Sequence, residues 1–180
     1  ADGGSAPEAY ATLADVVAHG EHLEHFHSYH KPDGARRADD ATLAEVMIKP
    51  DDVRRDAMVL DLFTLFNYLW RHSFIPDQLN PVAMSFTVLP GGKDWGFLEF
   101  VGASTPARHF DFDTLEPSLA APGERADTVL RTVAGSLVAG RVVGIGDRHQ
   151  DNIMIREVDG KFIFWQLDFK HVFGHQTRID

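Results

Sequence analysis

The sequence predicts an α+β fold of two lobes, a strand-rich part over residues 1–102 and a part over 103–180 with a small or truncated second lobe. Three observations carry this. Short apolar runs punctuated by Pro/Gly turns fill much of the first part. Two segments, 50–72 and 124–139, repeat apolar residues at helical spacing. In the second part, one apolar approach runs into a polar turn at Asp147–Asn152, and a later one stops at Asp168. A chain of 180 residues suffices for one medium domain or two small lobes with a real core.

Composition excludes several classes. There is no cysteine, so neither a disulfide framework nor a thiolate metal site can form. The formal charge of −10 argues against nucleic-acid binding by bulk charge. The basic pairs Arg36-Arg37 and Arg54-Arg55 both stand close to aspartates and make no basic patch. No stretch approaches the roughly 18–20 apolar residues that span a bilayer. Residues 1–5 lack the basic and apolar regions of a signal peptide.

Taken in order, Pro7 to Val17 reads as a short helix with a Tyr10, Leu13, Val16 and Val17 stripe, ended by Gly20. His22 to His30 reads as a strand, followed by a turn at Lys31–Gly34. Its four histidines invite a metal reading. In a strand His25 and His27 share a face, but no third ligand has suitable spacing, and solvated histidines are favoured. Thr42 to Lys49 is a second strand. By position alone Lys49 snorkels to the sheet edge; the sharper alternative aims it into a cleft to hold a phosphate.

Pro50 starts a helix, with Asp51 and Asp52 at its amide-rich end. It runs to Trp70 or His72 and is apolar nearly all round in its second half, which predicts burial between other elements. Asp56 lies one turn past Asp52, facing a cap or the cleft beside Lys49. Val82–Leu89 and Trp95–Val101 form a hairpin about the 90–94 turn, and Gly102–Pro106 breaks the chain as a hinge. Residues 108–122 are irregular, with a short helix near Asp113–Leu119. Glu124 to Ala139 is a helix whose stripe includes Val129, Leu130, Leu137 and Val138, with Gly140 ending or bending it. Phe162 to Leu167 is a strand after an Asp-Gly turn.

The chemistry is concentrated in Gly144-Ile145-Gly146-Asp147-Arg148-His149, with Asn152 and then Asp168-Phe169. One candidate base and two oxygen ligands for Mg²⁺ are a minimal set for phosphoryl transfer. Taken alone, Asp147-Arg148 could be a turn ion pair and Asn152 a turn-forming amide.

These residues resemble the catalytic and metal loops of the phosphatidylinositol 3-/4-kinase superfamily, which includes the PI3-kinase-related protein kinases. Asp51-Asp52-x-Arg54-x-Asp56 resembles that superfamily's Asp-Asp-Leu-Arg-Gln-Asp signature. Phe97–Val101 resembles its hinge, and Ser28-x-x-Lys31-Pro32, more weakly, its phosphate loop. The resemblance covers about Phe26 to Gly174 and implies a protein-kinase-like fold. It implies that Lys49 and Ser28 contact ATP phosphates, that Asp56 lines the inner pocket or helps orient Lys49, and that Glu99 and Val101 offer backbone groups to adenine. Asp147 is then the candidate base or hydroxyl-orienting acid, His149 and His171 support catalysis, and Asn152 and Asp168 hold Mg²⁺ or Mn²⁺. A lysine in that role overturns the edge-snorkelling reading of Lys49.

The implied activity moves the ATP γ-phosphate to a hydroxyl, with a phosphoinositide lipid favoured over a Ser/Thr protein substrate or an inactive kinase-like scaffold. Asp168-Phe169-x-His171 resembles the lipid-kinase form; Asp56-Ala57, Phe63 and Asn67 resemble the protein-kinase branch. The resemblance further implies a cytoplasmic protein, with peripheral membrane contact where the substrate is a lipid. Three departures stand out: Lys170 replaces the glycine usual after Asp-Phe, Arg55 replaces glutamine, and no glycine precedes Asp51. Few basic residues follow the metal loop to hold inositol phosphates, Lys170 and Arg178 being the visible ones.

Overall fold

Strand β3 (Val46–Lys49) lies at the middle of a five-stranded antiparallel sheet in the computed structural model, which describes residues 22–25, 33–36, 46–120 and 123–174. The sheet order is β1 (His22–His25), β2 (Asp33–Arg36), β3, β5 (Gly96–Glu99), β4 (Val88–Pro90). A second, three-stranded sheet runs β6 (Ser104–Pro106), β7 (Ile153–Val158), β8 (Lys161–Gln166). The helices are α1 (Arg54–Arg71), α2 (Glu116–Ala120) and α3 (Glu124–Val143). The architecture is α+β, as expected. The 7–17 helix, Ser28, the remaining histidines of that stretch and Arg178 lie outside the described residues. Asp33 and Gly34, expected in a turn, are the first residues of β2.

Helix α1 begins at Arg54 rather than Pro50. The two aspartates satisfy local amides in a non-helical turn: Asp52 N donates to Asp51 Oδ1 at 2.8 Å, and Arg54 N to Asp52 Oδ1 at 3.2 Å. Asp52 also pairs with the Arg54 guanidinium, which lowers its pKa to about 2. One face of α1 buries Asp56, Val59, Leu60 and Phe63 at spacings of three and four. All-round burial does not hold. Met58, Leu65, Tyr68 and Leu69 are exposed, because among the described residues neighbours cover one side of the helix only.

Three further expectations change. Residues 82–87 are not a strand. Val82 N donates to the Arg131 carbonyl at 2.9 Å, and Asn67 grips the backbone of Ala83 through both its amide nitrogen and oxygen. This segment therefore threads between α1 and α3. It passes so close to α3 that a Cβ on Gly135 would lie 2.2 Å from the Val82 carbonyl carbon. The break at 102–106 contains a strand, since Pro106 is tolerated on an edge such as β6. Helix α3 passes Gly140 and ends at Gly144, whose φ of 68° suits a left-handed cap.

The buried face of α3 also differs from the expected stripe. Leu130, Leu137 and Val138 are exposed, whereas Thr132, Gly135, Ser136 and Ala139 are buried. Small residues let α3 approach β8 closely, and hydrogen bonds cross the seam. Thr132 Oγ1 accepts from Phe164 N at 3.0 Å, and Gln166 Nε2 donates to the Ser136 carbonyl at 3.1 Å. The main core joins both sheets and both long helices through Leu98, Trp165, Phe63 and Val143. No helix among the described residues is long and apolar enough to cross a membrane.

Candidate active site

The Lys49 ammonium at the end of β3 is mostly buried. Its Nζ lies 3.9 Å from Asp56 Oδ2 and 3.6 Å from Asp168 Oδ1. Asp56 reaches it from the first turn of α1, and Asp168 from just beyond β8. Asp56 is 2% exposed, and its Oδ1 accepts from the Phe169 amide at 3.0 Å. Burial pushes the Asp56 carboxyl above its ordinary value, with Asp168 and Asp51 adding to the rise; Lys49 and the Phe169 amide oppose it. The Phe169 ring is fully buried and meets Phe63 edge-on at 5.5 Å, fixing the backbone beside Asp168.

Arg148 joins the two polar loops. Its guanidinium donates to the carbonyls of Gly146, Asn152, Leu167 and Asp168, at 2.8 Å for Gly146 and 2.9 Å for Leu167. It also lies over the Phe169 ring at 5.8 Å. Burial lowers its pKa, while Asp168, Asp147 and Asp56 hold it up. Sequence reasoning assigned Arg148 nothing beyond a turn ion pair. Carbonyl partners leave no side-chain pattern by which such a role could be read.

The clamp shapes two strained positions. Asp147 and Asp168 have φ of 54° and 58°, a region costly for residues other than glycine and kept only where the surroundings enforce it. Asp147 Oδ2 lies 3.8 Å from His171 Nε2, and the Gly146 amide donates to the His171 carbonyl at 2.7 Å. His149 is not part of this pairing. Its ring is half exposed, with Nδ1 3.6 Å from Asp151 Oδ2, and Asp151 is also paired with Arg108.

Residues 111–179 match a family model described as phosphatidylinositol 3- and 4-kinase. Two soybean (Glycine max) phosphatidylinositol 3-kinases, the nodule and root isoforms, are each 28% identical over 79% of this chain and 18% of their own length. Phosphatidylinositol 3-kinase VPS34 of Saccharomyces cerevisiae is 26% identical over 71% of this chain and 15% of its own. The chain is thus similar to the phosphatidylinositol 3- and 4-kinases over residues 111–179, and at lower identity to these relatives over most of its length. It spans less than a fifth of the length of these relatives.

Kinases of this superfamily imply a divalent metal, and the donors present here suit one kind. Among the described residues no group of three or more His, Cys, Asp or Glu could hold a metal. Mg²⁺ does not need such a cage; it binds through one or two protein oxygens, with water and substrate phosphates completing its shell. Asp168 offers a carboxylate. Asn152 Nδ2 donates to the Asp147 carbonyl at 3.0 Å, which leaves its Oδ1 as the oxygen for a hard cation.

Of the two residues expected to meet adenine, Glu99 ends β5 on the same sheet and Val101 lies two residues beyond that strand. Glu99 sits opposite Val46, three residues along β3 from Lys49, a separation of roughly 10 Å at ~3.3 Å per residue. The Glu99 amide donates to the Thr87 carbonyl at 2.8 Å, and the Glu99 carboxylate accepts from the Thr87 amide at 2.8 Å. The Val101 side chain is buried in the core. Met47, Met154 and Leu167, half-buried, pack against that core. Two surface cavities, of 410 and 470 Å³, lie instead along β6 and β7, and neither is lined by Lys49, Asp147 or Asp168. The convergence of charge at Lys49, Asp56 and Asp168 marks the site.

Proposed function

We propose that this chain is the catalytic part of a two-lobed kinase, residues 1–102 and 103–180 forming the lobes, that transfers the ATP γ-phosphate to a phosphoinositide hydroxyl. The observation that carries the reading is the Lys49–Asp168 approach. A lysine and a carboxylate from distant parts of the chain meet where phosphate and its counter-ion would be handled. The named activity of the soybean and yeast relatives supports the lipid substrate.

In this reading Lys49 holds ATP phosphates as a point charge, and Asp56 keeps the ammonium in place. Glu99 and Val101 receive the base; Ser28, outside the described residues, keeps the phosphate contact that the sequence resemblance implies. Mg²⁺ or Mn²⁺ bound by Asp168 and Asn152 would neutralise phosphate charge as it builds. Asp147 Oδ2 orients the acceptor hydroxyl and takes its proton, and His171 Nε2, 3.8 Å away, supports the carboxylate electrostatically. His149 supports the acceptor side from a more exposed position.

A protein substrate has less support. Asn67, one of the residues resembling the protein-kinase branch, is fully engaged with Ala83, and Phe63 with Phe169. Both have structural duties that carry no information about the acceptor.

The test is thermal melting with and without Mg²⁺-ATP, in wild type and Lys49→Ala. Ligand at about 100 times Kd stabilises by roughly 2.7 kcal/mol. Wild type should shift upward and Lys49→Ala much less; an unmoved wild type defeats the ATP-site reading. Radiolabel transfer to phosphoinositide vesicles and Ser/Thr peptides, side by side, then decides the acceptor.

A further inference from the structure

We propose that Arg55 and Lys170 are a pair of positioning residues that dock the metal loop onto the first turn of α1. The proposal rests on the kinase reading for its catalytic meaning, and on geometry for the docking itself.

The contacts fall in a row. Asp56 Oδ1 accepts from the Phe169 amide at 3.0 Å, and Arg55 Nη1 donates to the Lys170 carbonyl at 3.0 Å. Lys170 Nζ then lies 3.5 Å from Asp51 Oδ2. Asp51, Arg55 and Asp56, grouped around one helix start, thus grip two consecutive residues after Asp168. Arg55 and Lys170 are also the two positions where the sequence departs from glutamine and glycine in the motifs it otherwise resembles. The two departures touch each other.

The physical effect is on the backbone. Glycine at 170 would leave the loop its widest conformational range, and a side chain narrows it before any contact forms. The Lys170–Asp51 pair is partly exposed and by itself contributes little. The Arg55 hydrogen bond, from a charged fork to a main-chain carbonyl, is the stronger tether. Restriction matters here because Asp168, two residues upstream, is held at a positive φ that its surroundings must enforce. The pair therefore keeps the Asp168 carboxylate oriented toward Lys49.

The test compares the intact protein with Arg55→Gln, Lys170→Gly and Arg55→Lys. Hydrogen exchange at the Phe169 and Phe173 amides of ligand-free protein should quicken about fivefold in the first two, the scale set by one hydrogen bond. Exchange in β7 and β8 should not change, and Arg55→Lys should recover much of the protection. The Mg²⁺ concentration giving half-maximal binding of a fluorescent ATP analogue should rise by about the same factor. Unchanged exchange overturns the docking. So does an unchanged Mg²⁺ dependence in a wild type that binds nucleotide. Unchanged exchange with a raised KM for phosphoinositide alone assigns Lys170 to the lipid headgroup instead. Quickened exchange in a protein that binds no nucleotide refutes the kinase reading while keeping the docking.

Discussion

Lys49 Nζ stands 3.6 Å from Asp168 Oδ1, so an ammonium on the first sheet is tied to a carboxylate just past the last strand of the second. Replacing it has two separable consequences. Lys49→Ala should lower phosphoryl transfer at least ~100-fold, since a positive group is lost where charge develops. It should also destabilise the ligand-free protein by about 1–3 kcal/mol, because the buried Asp56 loses its cation. Asp168→Asn should match the loss of transfer at smaller cost to the denaturation midpoint, its carboxylate being less buried than that of Asp56. Transfer assays and urea unfolding on both variants separate the two effects.

Asp56 makes a prediction about pH. Its carboxyl is raised above 3.8, chiefly by burial. Between 3.8 and the raised value the folded state holds a proton that the unfolded chain has released. Stability from this group therefore falls as pH rises through that window and levels off above it. Asp56→Asn keeps an oxygen for the Phe169 amide and removes the titration. Denaturant unfolding from about pH 4 to 7 should show a shallower decline in the variant, the window starting near the ordinary carboxylate value. Identical slopes would refute the assignment.

Arg148→Lys tests the clamp without removing charge. One ammonium cannot serve four carbonyls spread over two loops as a planar fork does. The variant should lose about 3–6 kcal/mol of stability, the worth of two charged hydrogen bonds. Its Mg²⁺-ATP melting shift should shrink as well, since Asp168 and Asn152 lose their common support. A variant with wild-type stability would show that the four contacts are incidental.

Much of the site could be read from the chain. Asp147, Asn152 and Asp168 stand out as polar residues where apolar runs end, whereas Lys49 by position reads as an edge lysine and enters the site only through the family resemblance; the structure brings Lys49, Asp56 and Asp168 together. His171 and His149 could not be ranked from spacing; the fold puts His171 beside Asp147 and His149 beside Asp151. Arg148 was missed because its partners are main-chain oxygens, which every residue carries.

What the sequence alone determined was local: the α+β mixture, the presence of a long helix within 50–72 and another from Glu124, and the oxygen and nitrogen groups available for phosphate and metal. These follow from backbone and side-chain preferences within a few residues. The tertiary structure decided which helix faces are covered, so that Leu137 of α3 is exposed while Ser136 is buried, and that Pro106 ends a paired edge strand. It also decided that Arg55 meets Lys170. Burial and long-range hydrogen bonds depend on what packs opposite a residue, and periodicity along one element cannot specify its neighbour.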